Sequence, residues 1–264
     1  MSGPLGSLGP QAAKSRRRIA EKNISLCLHE LGEKDRQSIL RDHFRLLVFS
    51  FLSEGILAFS SEKRLFQEAV IEGEEHLEAI SGRPAILFGM HFCAMSWLTL
   101  VSRGLKIVAI YRKPKIAAFD KLFRRTRMRY GVVLVTSREG LRPVLAQMRK
   151  GRSYLCLPDH DLGPRQSIFV PFFRIPTATT PVLSRLGQMT GAMVLPIETM
   201  IASTPPYFRI RVHPPLEDFP SGDQAADTAR MNAFIEERVR EAPAQYYWVH
   251  KRFKTRPPGE DKIY

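Results

Sequence analysis

From about Ala69 onward, short apolar runs alternate with longer stretches of helical period. Ala85–Met90, Ile107–Tyr111, Val132–Val135, Tyr154–Leu157, Ala192–Ile197 and Phe208–Val212 are strand-like. Met95–Ser102, Ile116–Tyr130, Glu139–Lys150, Pro181–Thr190 and Asp227–Ala242 are helix-like. This alternation predicts an α/β fold, a mainly parallel sheet flanked by helices on both faces. Ahead of it, residues 16–59 read as helical, with a break at Gly32 and a second helix from Glu33 through Phe59. The expected organisation is a flexible N-terminus or cloning remnant over residues 1–15, then a single domain made of a helical extension, 16–66, and an α/β core, 67–264. No internal repeat or low-complexity segment interrupts it.

Two of the strand-like runs end in polar, titratable residues. The run Ala85–Met90 is followed by His91, and Tyr154–Leu157 runs into Pro158-Asp159-His160-Asp161-Leu162-Gly163-Pro164-Arg165. In open α/β folds the carboxyl edge of the sheet is where ligands bind, so an imidazole delivered there is a candidate general base. On residues alone, a histidine satisfied by backbone at a strand end is the favoured reading. Beside two aspartates, His160 reads as a structural hydrogen-bonding residue. Thr179 and Thr180, before Pro181, read as an N-cap with proline at the helix start. Cys93 suggests a thiol nucleophile only weakly, since nothing in the sequence lowers its pKa.

Charge narrows the partners. The 264 residues contain 40 Lys and Arg against 26 Asp and Glu, a formal net charge of +14, which favours polyanionic partners such as phospholipid headgroups, phosphorylated glycolipids or an acidic carrier protein. The basic residues are dispersed and not interleaved with an aromatic platform, so no nucleic acid is expected. Three separated cysteines, Cys27, Cys93 and Cys156, suggest neither a zinc site nor a disulfide framework and fit a reducing setting. The longest greasy segment, Leu46 to Phe59, is broken by Ser50, Ser53, Glu54 and Gly55, so membrane contact is expected to be peripheral.

Gly89-Met90-His91-Phe92, Ala109-Ile110-Tyr111-Arg112, Arg127-Met128-Arg129, Pro158 through Phe173 with Ala178-Thr179-Thr180, and the tail His250-Lys251-Arg252-Phe253-Lys254-Thr255-Arg256-Pro257 together resemble the late acyltransferases of lipid A biosynthesis. These are the Kdo-dependent lauroyl and myristoyl transferase type of the lysophospholipid acyltransferase superfamily. The resemblance implies a glycerolipid acyltransferase-like fold. It also implies O-acyl transfer from an acyl carrier protein thioester to a hydroxyl of a phosphorylated glycolipid, at the cytoplasmic face of the bacterial inner membrane, without metal or other cofactor. In the family's pattern a His is followed, after four residues, by Asp or Glu. His91 holds the first position and Ser96 the second. The charge that position 96 lacks is then expected from Asp159 or Asp161; otherwise the enzyme runs slowly or on a different acceptor, or the chain is a catalytically impaired protein of this fold that binds lipid or a partner. Arg112, Arg127, Arg129 and Arg165 are the implied binders of phosphate or the thioester oxyanion, joined by Thr179 and Thr180 as oxyanion donors.

Overall fold

The computed structural model describes residues 10–80 and 82–264. The chain opens with two helices, α1 (Pro10–Cys27) and α2 (Glu33–Phe59), separated near Gly32 as the sequence predicts. Residues 1–9 lie outside the described residues; α1 already begins at Pro10, so residues 10–15 are helical rather than a flexible lead-in.

A short helix α3 (Glu62–Glu68), strand β1 (Ala69–Glu72) and helix α4 (Glu74–Ala79) lead into the core. Then follow β2 (Ile86–Gly89), a 3₁₀ helix (Met95–Arg103), β3 (Ile107–Tyr111), α5 (Ala117–Met128), β4 (Val133–Thr136), α6 (Arg142–Arg149) and β5 (Ser153–Cys156). A hairpin of β6 (Ile168–Phe172) and β7 (Ile175–Thr179) precedes α7 (Val182–Thr190), β8 (Val194–Ile201), β9 (Phe208–Val212) and α8 (Gln224–Glu241). The sequence pattern did not mark β1, β6 or β7 as strands, because none is a continuous apolar run. Met95–Arg103 is 3₁₀ rather than α.

Seven strands form one sheet in the order β1-β9-β8-β2-β5-β3-β4. Strands β8, β2, β5, β3 and β4 run parallel; β9 is antiparallel to β8, and β1 pairs parallel with β9. The sheet separates two apolar clusters. One, around Phe88, Tyr154, Leu186, Ile235 and Trp248, lies toward α7 and α8; the other gathers Leu57, Leu87, Trp97, Leu195 and Phe208 beneath α2 and the 3₁₀ helix. Ile86, Leu87, Phe88 and Gly89 are all buried, which is why β2 reads as an uninterrupted apolar run rather than an alternating one. Gly89 closes the strand where a Cβ would meet Leu98 Cδ1 at 3.0 Å and Leu157 Cδ1 at 3.2 Å, so a larger residue at this turn toward His91 would have to push those leucine side chains aside.

Candidate active site

The central strands β2 and β5 build the site. They pair with Ile86 opposite Tyr154 and Phe88 opposite Cys156, an offset of 68 residues. That same offset separates His91 from Asp159, so two parallel neighbours deliver an imidazole and a carboxylate side by side at their carboxyl ends. Asp159 is fully buried and accepts twice from the same residue: from His91 Nδ1 at 2.5 Å and from the His91 backbone N–H at 3.0 Å. With Nδ1 so engaged, the tautomer is set. Nε2 makes no hydrogen bond among the described residues, and the side chain keeps 16% exposure. Burial pushes the Asp159 carboxyl upward, but the adjacent His91 ring outweighs it and holds the group well below the ordinary carboxylate range.

Three histidines stack at this edge. The His160 ring lies over His91 with centroids 3.3 Å apart, and His250 stacks on its other face at 3.8 Å. The expected hydrogen-bonding role of His160 is not what the structure shows: its Nε2 is buried without a partner, and burial together with the nearby His91 pulls its pKa far down. Burial lowers His250 to about 4. The His160 ring, itself backed by His250, therefore covers one face of His91 and limits its rotation. Asp161 organises the loop instead of bracing His91. It accepts from the backbone N–H groups of Gly163 at 2.8 Å and Thr255 at 2.6 Å and from the Thr255 hydroxyl at 2.9 Å, and so joins the β5 loop to the C-terminal tail. Of the two aspartates in play, Asp159 is the partner.

Ser96 takes a different partner from the imidazole. Its hydroxyl donates to Glu54 on α2, a buried residue with no place in the sequence-based site. Cys93 is buried against the His43 ring, with Sγ 3.7 Å from Nδ1, and burial raises its thiol to about 12, which leaves no thiolate at neutral pH.

The arginines fall into three groups. Arg127 is half-buried, its guanidinium 5.4 Å from the centre of the Tyr111 ring and 5.2 Å from that of Phe123; burial lowers its pKa and the Glu54 charge opposes this. Arg129 is committed to structure: it donates to the carbonyls of Leu57 at 2.7 Å and Ser60 at 2.6 Å, where the last turn of α2 has no helical partners. Arg112 and Arg165 are exposed and in no ion pair among the described residues. Thr179 is fully buried in β7, donating to Thr177 O at 3.2 Å and accepting from Arg252 at 2.7 Å. It is therefore no N-cap; α7 starts after Pro181 without a side-chain cap, and Thr180 is buried beside it. Arg252, itself buried, also donates to Ala178 O at 2.8 Å and lies over Phe172, so the tail pins the hairpin to the site. Tyr246, buried against Asp159, completes the wall, and burial raises its phenol well above the ordinary value. Among the described residues no group of three or more His, Cys, Asp or Glu is arranged as metal ligands.

A buried carboxylate orienting a sheet-edge imidazole whose second nitrogen is unengaged is an arrangement that can take a proton from a hydroxyl. Residues 2–255 match the family described as bacterial lipid A biosynthesis acyltransferase, and the chain belongs to this family of acyl-transferring enzymes. It is similar to the lipid A biosynthesis palmitoleoyltransferase of Escherichia coli, at 30% identity over 98% of this chain and 86% of that protein. It is likewise 30% identical to a lipid A biosynthesis acyltransferase of Haemophilus influenzae, over 99% and 83% of the two chains. The 1-acyl-sn-glycerophosphate acyltransferase structure from Thermotoga maritima aligns with a TM-score of 0.40 at 15% identity, covering 87% of this chain and 96% of that one.

Proposed function

We propose that this enzyme moves a fatty acyl group from an acyl carrier protein thioester to a hydroxyl of a phosphorylated glycolipid of the lipid A precursor type, with His91 as general base. The observation that carries the reading is the Asp159–His91 pair. The acceptor hydroxyl gives its proton to His91 Nε2 while its oxygen attacks the thioester carbonyl carbon. The tetrahedral intermediate then collapses with loss of the carrier thiolate, which takes the proton back from the imidazolium. The buried Asp159 carboxylate, close to Nδ1–H, stabilises the positive ring between the two transfers.

The reaction is read as one at a lipid surface on the cytoplasmic side of the inner membrane. At 100° per residue, α2 turns Ser50, Ser53, Glu54 and Leu57 inward and Val48, Leu52 and Phe59 half a turn away. Those three apolar side chains are 60%, 67% and 69% exposed, with Arg41 and Arg45 along the same side. An apolar stripe beside guanidinium groups suits the boundary between anionic headgroups and acyl chains. No helix of the described residues is long and apolar enough to cross a membrane.

The test is transfer from radiolabelled acyl carrier protein to a purified lipid A precursor. Acceptor-dependent transfer by the native chain that disappears in His91→Ala is the expected result. Lipid binding without turnover, indifferent to that substitution, overturns the proposal in favour of a binding protein.

A further inference from the structure

His91 is tied down everywhere except at its reactive nitrogen. Asp159 takes its backbone N–H and Nδ1, and its carbonyl accepts from the Tyr247 backbone N–H at 2.8 Å. A hydrogen bond at one ring nitrogen still lets an imidazole swing about that bond, and such a swing would carry Nε2 away from an acceptor hydroxyl. The remaining constraint is a flat surface: the His160 ring lies 3.3 Å from that of His91, centre to centre, with the two planes 11° apart.

His160 offers His91 its face rather than its edge. Hydrogen bonds of an imidazole run through its nitrogens in the ring plane, so two rings stacked in this way pass no proton between them. The Nε2 atom of His160 is buried and makes no hydrogen bond among the described residues. Burial, together with the neighbouring His91, keeps this ring neutral. The face of a neutral aromatic ring attracts a cation laid against it, and His91 becomes a cation whenever it takes a proton.

The wedge cannot retreat. His250 stacks on its far side at 3.8 Å with the planes 15° apart, and the His250 Nε2 accepts from the Asp161 backbone N–H at 3.2 Å. From α1, the Asn23 amide donates to the carbonyls of Trp248 and His250, both at 2.7 Å. The backing ring is thus fastened to the β5 loop and to the first helix.

Building on the acyl-transfer reading, we infer that His160 is a positioning residue of the reaction: wedged between His91 and His250, its flat ring keeps His91 Nε2 on the acceptor hydroxyl and supports the positive imidazole that forms when the proton is taken. It acts through its face, and its nitrogens take no part.

The experiment measures kcat and acceptor KM for transfer from labelled acyl carrier protein in the native chain, His160→Ala and His160→Phe, each established as folded by its far-ultraviolet spectrum. His160→Ala should lower kcat by about tenfold or more and leave KM within about twofold, since what is lost is the aim of a group and not a substrate contact. His160→Phe restores a flat aromatic face without nitrogens and should stay within about threefold of the native kcat. ¹³C relaxation of the His91 ring should show it moving more freely in His160→Ala than in the native chain. A smaller fall in kcat for His160→Ala, a loss carried by KM, or unchanged ring motion overturns the inference. So does a folded His160→Phe as slow as His160→Ala, which would assign the role to the nitrogens. If His160→Phe does not fold, His160→Ala and the motion of the His91 ring decide. His91→Ala in the same series separates the two levels: if it is as active as the native chain, the general-base reading fails and this inference falls with it. If it is inactive while His160→Ala keeps the native kcat, only the inference fails.

Discussion

Asp159→Asn tests the centre of the mechanism with little change of volume. Both groups that Asp159 serves are donors, the His91 backbone N–H and Nδ1–H. An amide has one acceptor oxygen, so whichever donor it satisfies, its NH₂ faces the other. The charge is lost as well. With centres of charge roughly 4 Å apart and an effective dielectric of about 20, a carboxylate–imidazolium attraction is worth about 4 kcal/mol, which corresponds to about a thousandfold in rate. The larger, roughly ten-thousandfold loss of the serine protease aspartate-to-asparagine variant includes a wrong tautomer, a second fault available here too. The assay is the initial rate of labelled acyl transfer at saturating thioester, on protein whose urea midpoint and far-ultraviolet spectrum establish that it is folded. Asp161→Asn is the control: it loosens the loop that Thr255 and Gly163 anchor, so its effect should fall on stability ahead of kcat. A folded Asp159→Asn protein within tenfold of the native rate would refute the charge argument.

Two further expectations concern stability. Arg129→Ala should cost about 1–3 kcal/mol in urea denaturation, because the Leu57 and Ser60 carbonyls lose their donors; a tenfold rise in acceptor KM at unchanged stability would instead make Arg129 a ligand. Burial holds His43 and His250 near a pKa of about 4 in the fold, against 6.5 as their ordinary value. The unfolded chain then binds protons that the native one does not, so stability is full above pH 6.5 and drains as pH falls toward 4. Each histidine contributes a loss of about 2 kcal/mol between pH 7.5 and 5, to be read from denaturant midpoints at the two values. A flat profile across that window would contradict the burial of these rings.

Periodicity located most of the fold. β3 and β9 match their apolar runs residue for residue, and the two opening helices separate where Gly32 was expected to part them. A fully buried strand leaves a run of apolar residues and a helix leaves a stripe, both of which are local signals. The hairpin of β6 and β7 escaped because prolines and polar residues break its pattern and its burial comes from Asn232 and Arg252, far along the chain. Glu54 was hidden for the same kind of reason. In the sequence it interrupts a greasy helix; only the packing of α2 onto residues 93–97 gives that interruption a partner.

The amino-acid order alone determined that two apolar segments end in His91 and in Asp159, since burial on both faces writes itself into consecutive residues. Tertiary structure decided that β5 lies directly beside β2, in a register that sets the carboxylate against Nδ1 and leaves Ser96 to Glu54. Strand order depends on how long crossovers pack over the whole sheet, and side-chain spacing within any one segment carries no record of it.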